Sequence, residues 1–236
     1  MGTDPAQARA RILRDMGLVV WTPRTVAEPA PAVEVEEPSV REQVAARGTT
    51  LPSWAELESA VAHCTRCALA EKRQHTVFGV GSRNARWMIV GEAPGAQEDR
   101  LGEPFVGRAG KLLDAMLVAL GTRREDVFIT NIVKCRPPGN RDPKPDEAEA
   151  CRGYLLAQTE HIGPGLILAL GRVAAQQLLG VETPVGKLRG RIHEGPGGCP
   201  LVVTYHPAYL LRTPTAKRQA WADLQLALSR VAVRDR

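Results

Sequence analysis

The chain has no apolar run approaching the roughly 20 residues that a membrane-spanning helix needs, so none is expected. Its first residues, MGTDPAQARARILRDMG, carry charges where a secretory signal needs an apolar stretch. A cytoplasmic protein with no membrane partner is the expectation. Phenylalanine is scarce, at three in 236 residues, and one of them, Phe105, is flanked by Pro and a nearby Gly, an odd setting for core packing. Cysteine is present five times, an odd count that argues against a fully paired disulfide framework. In a reducing compartment clustered thiols favour metal.

What is present suffices for one large domain. Hydrophobic residues make up 44% of the chain, enough for a sizeable core. The formal net charge is +5; residues 1–50 hold six Arg and seven acids, or −1, leaving +6 on the remainder. A basic folded part permits a polyanionic partner without requiring one. Residues 1–50 contain TVAEPAPAVEVEEPSV, rich in Pro and Glu with no apolar period, and read as a disordered extension or linker. A short helix near 6–16 is the one element expected there. From Leu51 the pattern alternates. Helices are expected over 54–64 with Ser53 as N-cap, 108–120 closed by Gly121, 144–161 with Pro145 in its first turn, 172–179 and 215–233. Strands are expected over 87–90, 127–133, 166–170 and 201–205. Alternation of this kind predicts an α/β fold, a three-layer α/β/α sandwich around a mainly parallel four-stranded sheet, spanning residues 51–236. Ligands bind such sheets at the carboxyl ends of the strands.

Four cysteines form a close pair and two distant singles: Cys64 and Cys67 in HCTRCALAEKR, Cys135 in NIVKCRPPGNRDP and Cys151 in DEAEACRGY. Four thiolates reaching one centre suit either tetrahedral zinc or a four-iron cluster. Cys199, in GPGGCPLVV, reads as a small residue beside a strand.

The segments at the strand ends each admit two readings. In GEAPGAQED (91–99), the glycines let backbone approach a ligand, and Glu92, Glu98 and Asp99 gather carboxylates; a Gly-Pro turn with solvated acids fits equally. In EPFVGRAGK (103–111), Gly107, Arg108, Gly110 and Lys111 open a helix suited to a phosphate, with Phe105 as a stacking platform or as core filler. Asn131 ends a strand, where its amide reads a base edge or caps a loop, and Asn140 lies in turn chemistry. His206 opens HPAYLLR, in which Leu210 and Leu211 before Arg212 form a wedge for parting stacked bases or pack the last helix. GKLRGRIH (186–193) is a basic loop whose Lys187 and Arg189 contact phosphate or solvent.

Together, GEAPG-x-x-ED, FVGRAGK, N-x-x-KCRPP-x-NR-x-P, GKLRG and HPAYLL, in this order with this cysteine spacing, resemble the bacterial and archaeal uracil-DNA glycosylases of family four, the iron–sulfur type. The likeness runs from Leu57 to Val231. It implies a 4Fe-4S cluster on Cys64, Cys67, Cys135 and Cys151, with zinc as the alternative occupant. It implies hydrolysis of the uracil–deoxyribose bond after nucleotide flipping in single- or double-stranded DNA, by a monomer that initiates base excision repair. By the same likeness Phe105 stacks on the base, Asn131 reads its polar edge, Glu98 crowds the position of a thymine methyl, and His206 donates to the departing uracil oxygen.

One position departs from the best-known uracil glycosylases: their water-positioning aspartate is replaced by Ala93, which leaves Glu92 and Asn140 to orient the water. Two rival readings remain. A related covalent uracil-binding protein captures the sugar through a histidine in the region of His193, although this chain has GEAPG and a short KLRGRIH. A non-catalytic iron–sulfur DNA-binding or adaptor protein would need the basic loop and wedge but not the set Glu92, Phe105, Asn131, Asn140 and His206.

Overall fold

A computed structural model describes residues 51–232; the helix expected near 6–16, the linker up to residue 50 and the end of the last expected helix at Val233 lie outside the described residues. The sheet is built on four strands, β2 (Trp87–Gly91), β3 (Phe128–Asn131), β4 (Leu166–Leu170) and β6 (Pro200–Thr204). They are parallel and adjacent in the order β3-β2-β4-β6. WMIVG and LILAL are buried along their whole length, because a parallel strand covered on both faces needs no polar alternation.

Alternate residues feed two separate cores. Met88, Val90, Phe128, Ile167, Ala169, Leu201 and Val203 point to one face, where α1 (Trp54–Ala62), α4 (Pro145–Ile162) and α5 (Gly171–Leu179) supply Leu57, Val61, Leu155 and Ala174. Trp87, Ile89, Ile129, Leu166, Leu168 and Val202 point to the other, against Leu113 and Leu117 of α3 (Arg108–Ala119) and Leu224 and Ala227 of α8 (Lys217–Ala232). This is the expected three-layer sandwich. Each fully buried aliphatic side chain here stabilises it by about 1.5–3 kcal/mol.

Local signals set the helix ends. Ser53 caps α1 in a reciprocal pair with Glu56: the Glu56 carboxylate accepts from Ser53 N at 2.7 Å, and Ser53 Oγ accepts from Glu56 N at 3.3 Å. α4 starts with Pro145 and ends at Gly163, whose φ of 54° lets the chain turn left-handed. Among the described residues no helix is long and apolar enough to cross a membrane.

The sheet departs from expectation in having six strands, in the order β1-β3-β2-β4-β6-β5. The additional strands are β1 (Val80–Gly81) and β5 (Ile192–Glu194), both antiparallel edges. Two or three residues are too few to show a period, so no sequence pattern announces them. β5 also corrects the reading of GKLRGRIH as a loop: Val185–Leu188 forms a helical turn, α6, and Ile192 and His193 pair with Val202 and Leu201. The strand expected over 127–133 stops at Asn131. Beyond it Ile132 and Val133 donate to the Gly91 and Glu92 carbonyls at 2.9 and 3.3 Å, which lays the chain against the GEAPG loop.

Candidate active site and four-cysteine centre

The carboxyl ends of β2, β3, β4 and β6 lie along one edge of the sheet. Gly91 and Asn131 are register partners across β2 and β3. A methyl group on Gly91 would stand 2.4 Å from Asn131 Oδ1 and 2.6 Å from Phe105 Cζ, so only glycine lets the amide and the ring close on each other. Asn131 is 2% exposed, and among the described residues its Oδ1 has no hydrogen-bond partner. A buried acceptor without a donor costs about 1–3 kcal/mol, which a ligand N–H would offset.

Phe105 adopts φ of 54°, rare for an aromatic residue. Three groups hold it there. Glu98 Oε1 accepts from Val106 N at 3.0 Å and Gly107 N at 3.1 Å. Arg124 donates to the Pro104 and Phe105 carbonyls and is itself held by Asp114 at 3.1 Å. Gly110 leaves room for the Phe105 carbonyl, which a methyl group there would meet at 1.7 Å. Glu98 thus takes up the Val106 and Gly107 amides ahead of α3 and braces the Phe105 loop.

His206 follows β6 and faces Phe105, with ring centroids 5.6 Å apart and planes at 31°. The Ala208 backbone N–H donates to His206 Nδ1 at 3.1 Å. Nδ1 therefore carries the lone pair and the ring proton sits on Nε2, free to donate. Burial pushes the imidazole down to about 4, assisted by the positive charge of Arg212 and opposed by Glu98. The ring is neutral at physiological pH. Gly171, at φ of 88°, makes room for it, since a methyl group there would lie 2.9 Å from His206 Cβ.

Glu92 is part-buried beyond Gly91. Burial, and after it the charge and hydrogen bonding of the neighbouring Asp142 carboxylate, raise its carboxyl to about 7 against the opposing charge of Arg172. Arg172 also pairs directly with Asp142. The side chain that meets Glu92 is thus Asp142. Asn140, the other candidate to orient the water, is exposed, has φ of 54°, and accepts from Arg136 Nε at 2.8 Å. Asp142 gives no signal in NRDP, because an Asp before Pro reads as turn chemistry. Ala93 packs against the core below Glu92.

The outer residues divide. Arg108, Lys111, Lys187 and Arg212 are exposed. Leu211 is 37% exposed and Tyr209 is 38% exposed on α7 (Pro207–Arg212). Leu210, expected in the wedge, is 1% exposed and packs with Ala216 and Ala220, because a short helix can turn only one of two successive residues outward. Arg189, expected at a phosphate, is taken up by the fully buried carboxylate of Asp223, with Nε and Nη2 both at 2.9 Å, and lies over the Tyr205 ring. His193 pairs with Leu201 near the start of β6, and its Nε2 donates to the Leu188 carbonyl at 2.6 Å. His206 lies five positions beyond Leu201, two of them past the end of β6 at Thr204, about 16 Å if the chain stays extended. The covalent reading through His193 finds no support in this placement.

Cys64, Cys67, Cys135 and Cys151 line one cavity between α1 and α4. Burial lifts the Cys135 thiol to about 11, opposed by Arg73 and reinforced by Cys151 and Cys67; burial likewise raises Cys151, with Cys67 and Cys64 adding to it. The four thiols therefore feel one another's charge. Arg73 donates to Cys135 Sγ at 3.3 Å and to the Cys64 carbonyl at 2.6 Å, and Arg66 and Lys134 line the same cavity. Four thiols lining one cavity with Arg66, Arg73 and Lys134 are the donor set of a thiolate-held centre. Cys199 stands apart, donating to the Pro164 carbonyl at 3.2 Å beside β6.

The sequence model of the uracil DNA glycosylase superfamily matches residues 78–225. The chain is 45% identical over 169 residues to a type-4 uracil-DNA glycosylase of Archaeoglobus fulgidus, covering 69% of this chain and 85% of that protein. It is 48% identical over 172 residues to one of Thermotoga maritima, covering 72% and 90%. A third, of Pyrobaculum aerophilum, is 43% identical over 177 residues, covering 72% and 90%. Glu92, Phe105, Asn131 and His206 all lie within the residues that the family model matches: the chain belongs to the uracil DNA glycosylase superfamily and, within it, to the type-4 uracil-DNA glycosylases.

Proposed function

We propose that this protein is a monofunctional glycosylase that removes uracil from DNA by hydrolysing its N-glycosidic bond, leaving an abasic site for base excision repair. The observation that carries the reading is the buried Asn131 amide, with an unpartnered acceptor, beside Phe105 and a neutral His206. Uracil presents an N–H donor next to a carbonyl acceptor at its polar edge. A rigid carboxamide pairs with that edge and mismatches cytosine, where donor and acceptor are exchanged.

The bond is hidden in stacked DNA, so the nucleotide must be flipped out. Leu211 and Tyr209 are exposed to fill the gap, and Arg108, Lys111, Lys187 and Arg212 are exposed to meet phosphates. Phe105, clamped by Glu98 and Arg124, stacks on the base. As the glycosidic bond breaks, its electron pair moves onto the uracil ring and charge grows on the carbonyl oxygen. His206 Nε2–H donates to that oxygen; one preorganised donor of this kind is worth about 10²–10³ in rate. Water adds to the sugar carbon that lost the base, and the proton it gives up passes to solvent, balancing the uracil anion that departs. Glu92, in its ionised form, orients that water.

Cys64, Cys67, Cys135 and Cys151 would hold a 4Fe-4S cluster. Its contribution is structural: it ties α1, the loop after β3 and α4 together beside the pocket. Zinc is the alternative occupant, and iron and sulfide analysis decides between them. A monomer in the cytoplasm, where thiols stay reduced, accords with this centre.

Purified protein and an end-labelled oligonucleotide carrying one uracil test the proposal. Strand scission that depends on hot alkali, with multiple turnovers, is expected. A protein–DNA band on a denaturing gel would restore the covalent His193 reading. No cleavage by iron-loaded protein would sink the glycosylase reading in favour of a binding module.

A further inference from the structure

Lys134 is a buried cation that no step above uses. It is 1% exposed, and its ammonium donates to Thr130 Oγ1 at 2.6 Å, Gln158 Oε1 at 2.7 Å and the Asn131 carbonyl at 2.9 Å. Three donors meet three acceptors, so the geometry is fully satisfied. The acceptors are fixed in turn: Thr130 Oγ1 and Gln158 Nε2 both donate to the Phe78 carbonyl at 2.9 Å. All three acceptors are neutral. Among the described residues no carboxylate forms an ion pair with Lys134.

Burial pulls its ammonium down to about 7, and the charge of Cys151 opposes that. Independently of charge, the side chain lines the four-cysteine cavity, one residue before Cys135. One side chain thus touches both the wall of that centre and the backbone of the residue that reads the base.

We propose that Lys134 is a positioning residue that couples the cysteine centre to base recognition: its side chain forms part of the wall of the centre, and its hydrogen bonds hold the Asn131 backbone in register. The inference rests on the base-reading role of Asn131 and on a centre held by the four cysteines. Asn131 has little slack, since Gly91 and Phe105 close on its amide from the other side. A shift of a few tenths of an ångström at its carbonyl therefore displaces the amide from the uracil edge.

The test measures binding of full-length protein to a duplex carrying one uncleavable 2′-fluoro-deoxyuridine and to the same duplex with thymidine, with iron per chain and visible absorbance measured on each preparation. Lys134→Met keeps the length and removes the charge. It is expected to retain iron, to bind the thymidine duplex as the parent does, and to lose at least tenfold in preference for the uridine duplex. An unchanged preference with iron retained overturns the proposal. Where Lys134→Met loses iron or fails to fold, Gln158→Leu decides, because it removes one arm of the tripod and neighbours no cysteine ligand: a loss of preference of about threefold or more sustains the coupling, and none overturns it. Asn131→Ala is the control for the underlying reading. If it keeps the uridine preference, the base-reading assignment has failed; iron-free parent protein with full preference would remove the role of the centre.

Discussion

Glu92 carries a prediction with a definite pH window. Its carboxyl is raised to about 7, first by burial, then by the charge and hydrogen bond of Asp142. If the ionised form orients water, the single-turnover rate follows the ionised fraction. A group with a pKa of about 7 is about 9% ionised one unit below and about 91% one unit above, so the rate rises roughly tenfold from pH 6 to pH 8. His206 contributes nothing to this limb, because it stays neutral above about 4. Asp142→Asn removes the like charge and leaves burial in force, so the limb moves down to between 4.5 and 7. The assay is single-turnover cleavage of a uracil oligonucleotide with enzyme in excess, quenched in alkali, from pH 5 to 9. Stability gives a second reading. Between pH 4.5 and 7 the folded carboxyl keeps a proton that the unfolded chain has lost, so this group makes stability fall as pH rises through that window. Glu92→Gln should abolish both dependences. A flat rate profile in the parent, or a limb that survives Glu92→Gln, refutes the role given to Glu92.

Three further outcomes follow from packing. Gly91→Ala places a methyl 2.4 Å from Asn131 Oδ1 and 2.6 Å from Phe105 Cζ, so single-turnover cleavage should fall by about 10²-fold with circular dichroism unchanged; full activity would show that the pocket does not depend on that approach. Leu210→Ala should cost about 2–4 kcal/mol in denaturant unfolding, whereas Leu211→Ala should leave stability within about 0.5 kcal/mol and slow cleavage of duplex more than of single strands. Arg189→Ala strands the buried Asp223 carboxylate and should cost about 3 kcal/mol or more, while Lys187→Ala should lower the salt dependence of DNA binding by about one phosphate contact and leave stability unchanged.

Much of the architecture was legible because the strands are apolar runs with glycine at their ends. LILAL is bounded in the sequence as it is in the structure, and Ser53, Pro145 and Gly121 mark helix ends by local chemistry. The edge strands were not legible, since two or three residues pair only because a neighbouring strand offers a free edge. Leu210 and Leu211 are indistinguishable as letters; the packing of α7 against α3 and α8 separates them. Arg189 likewise reads as any loop arginine until Asp223, 34 residues away, approaches it.

The site divides along the same line. The order and type of its residues, cysteines included, follow from the sequence alone, since spacing fixes which side chains stand at strand ends and which thiols share a turn. Tertiary structure decided what those residues can do. It set Glu92 beside Asp142, made Glu98 a clamp on the Phe105 loop, left the Asn131 acceptor without a partner among the described residues, and set the proton of His206 on Nε2 through a backbone amide. The reason is physical: ionisation, tautomer and unsatisfied hydrogen bonding depend on neighbours distant in the chain, and only folding brings those neighbours within reach.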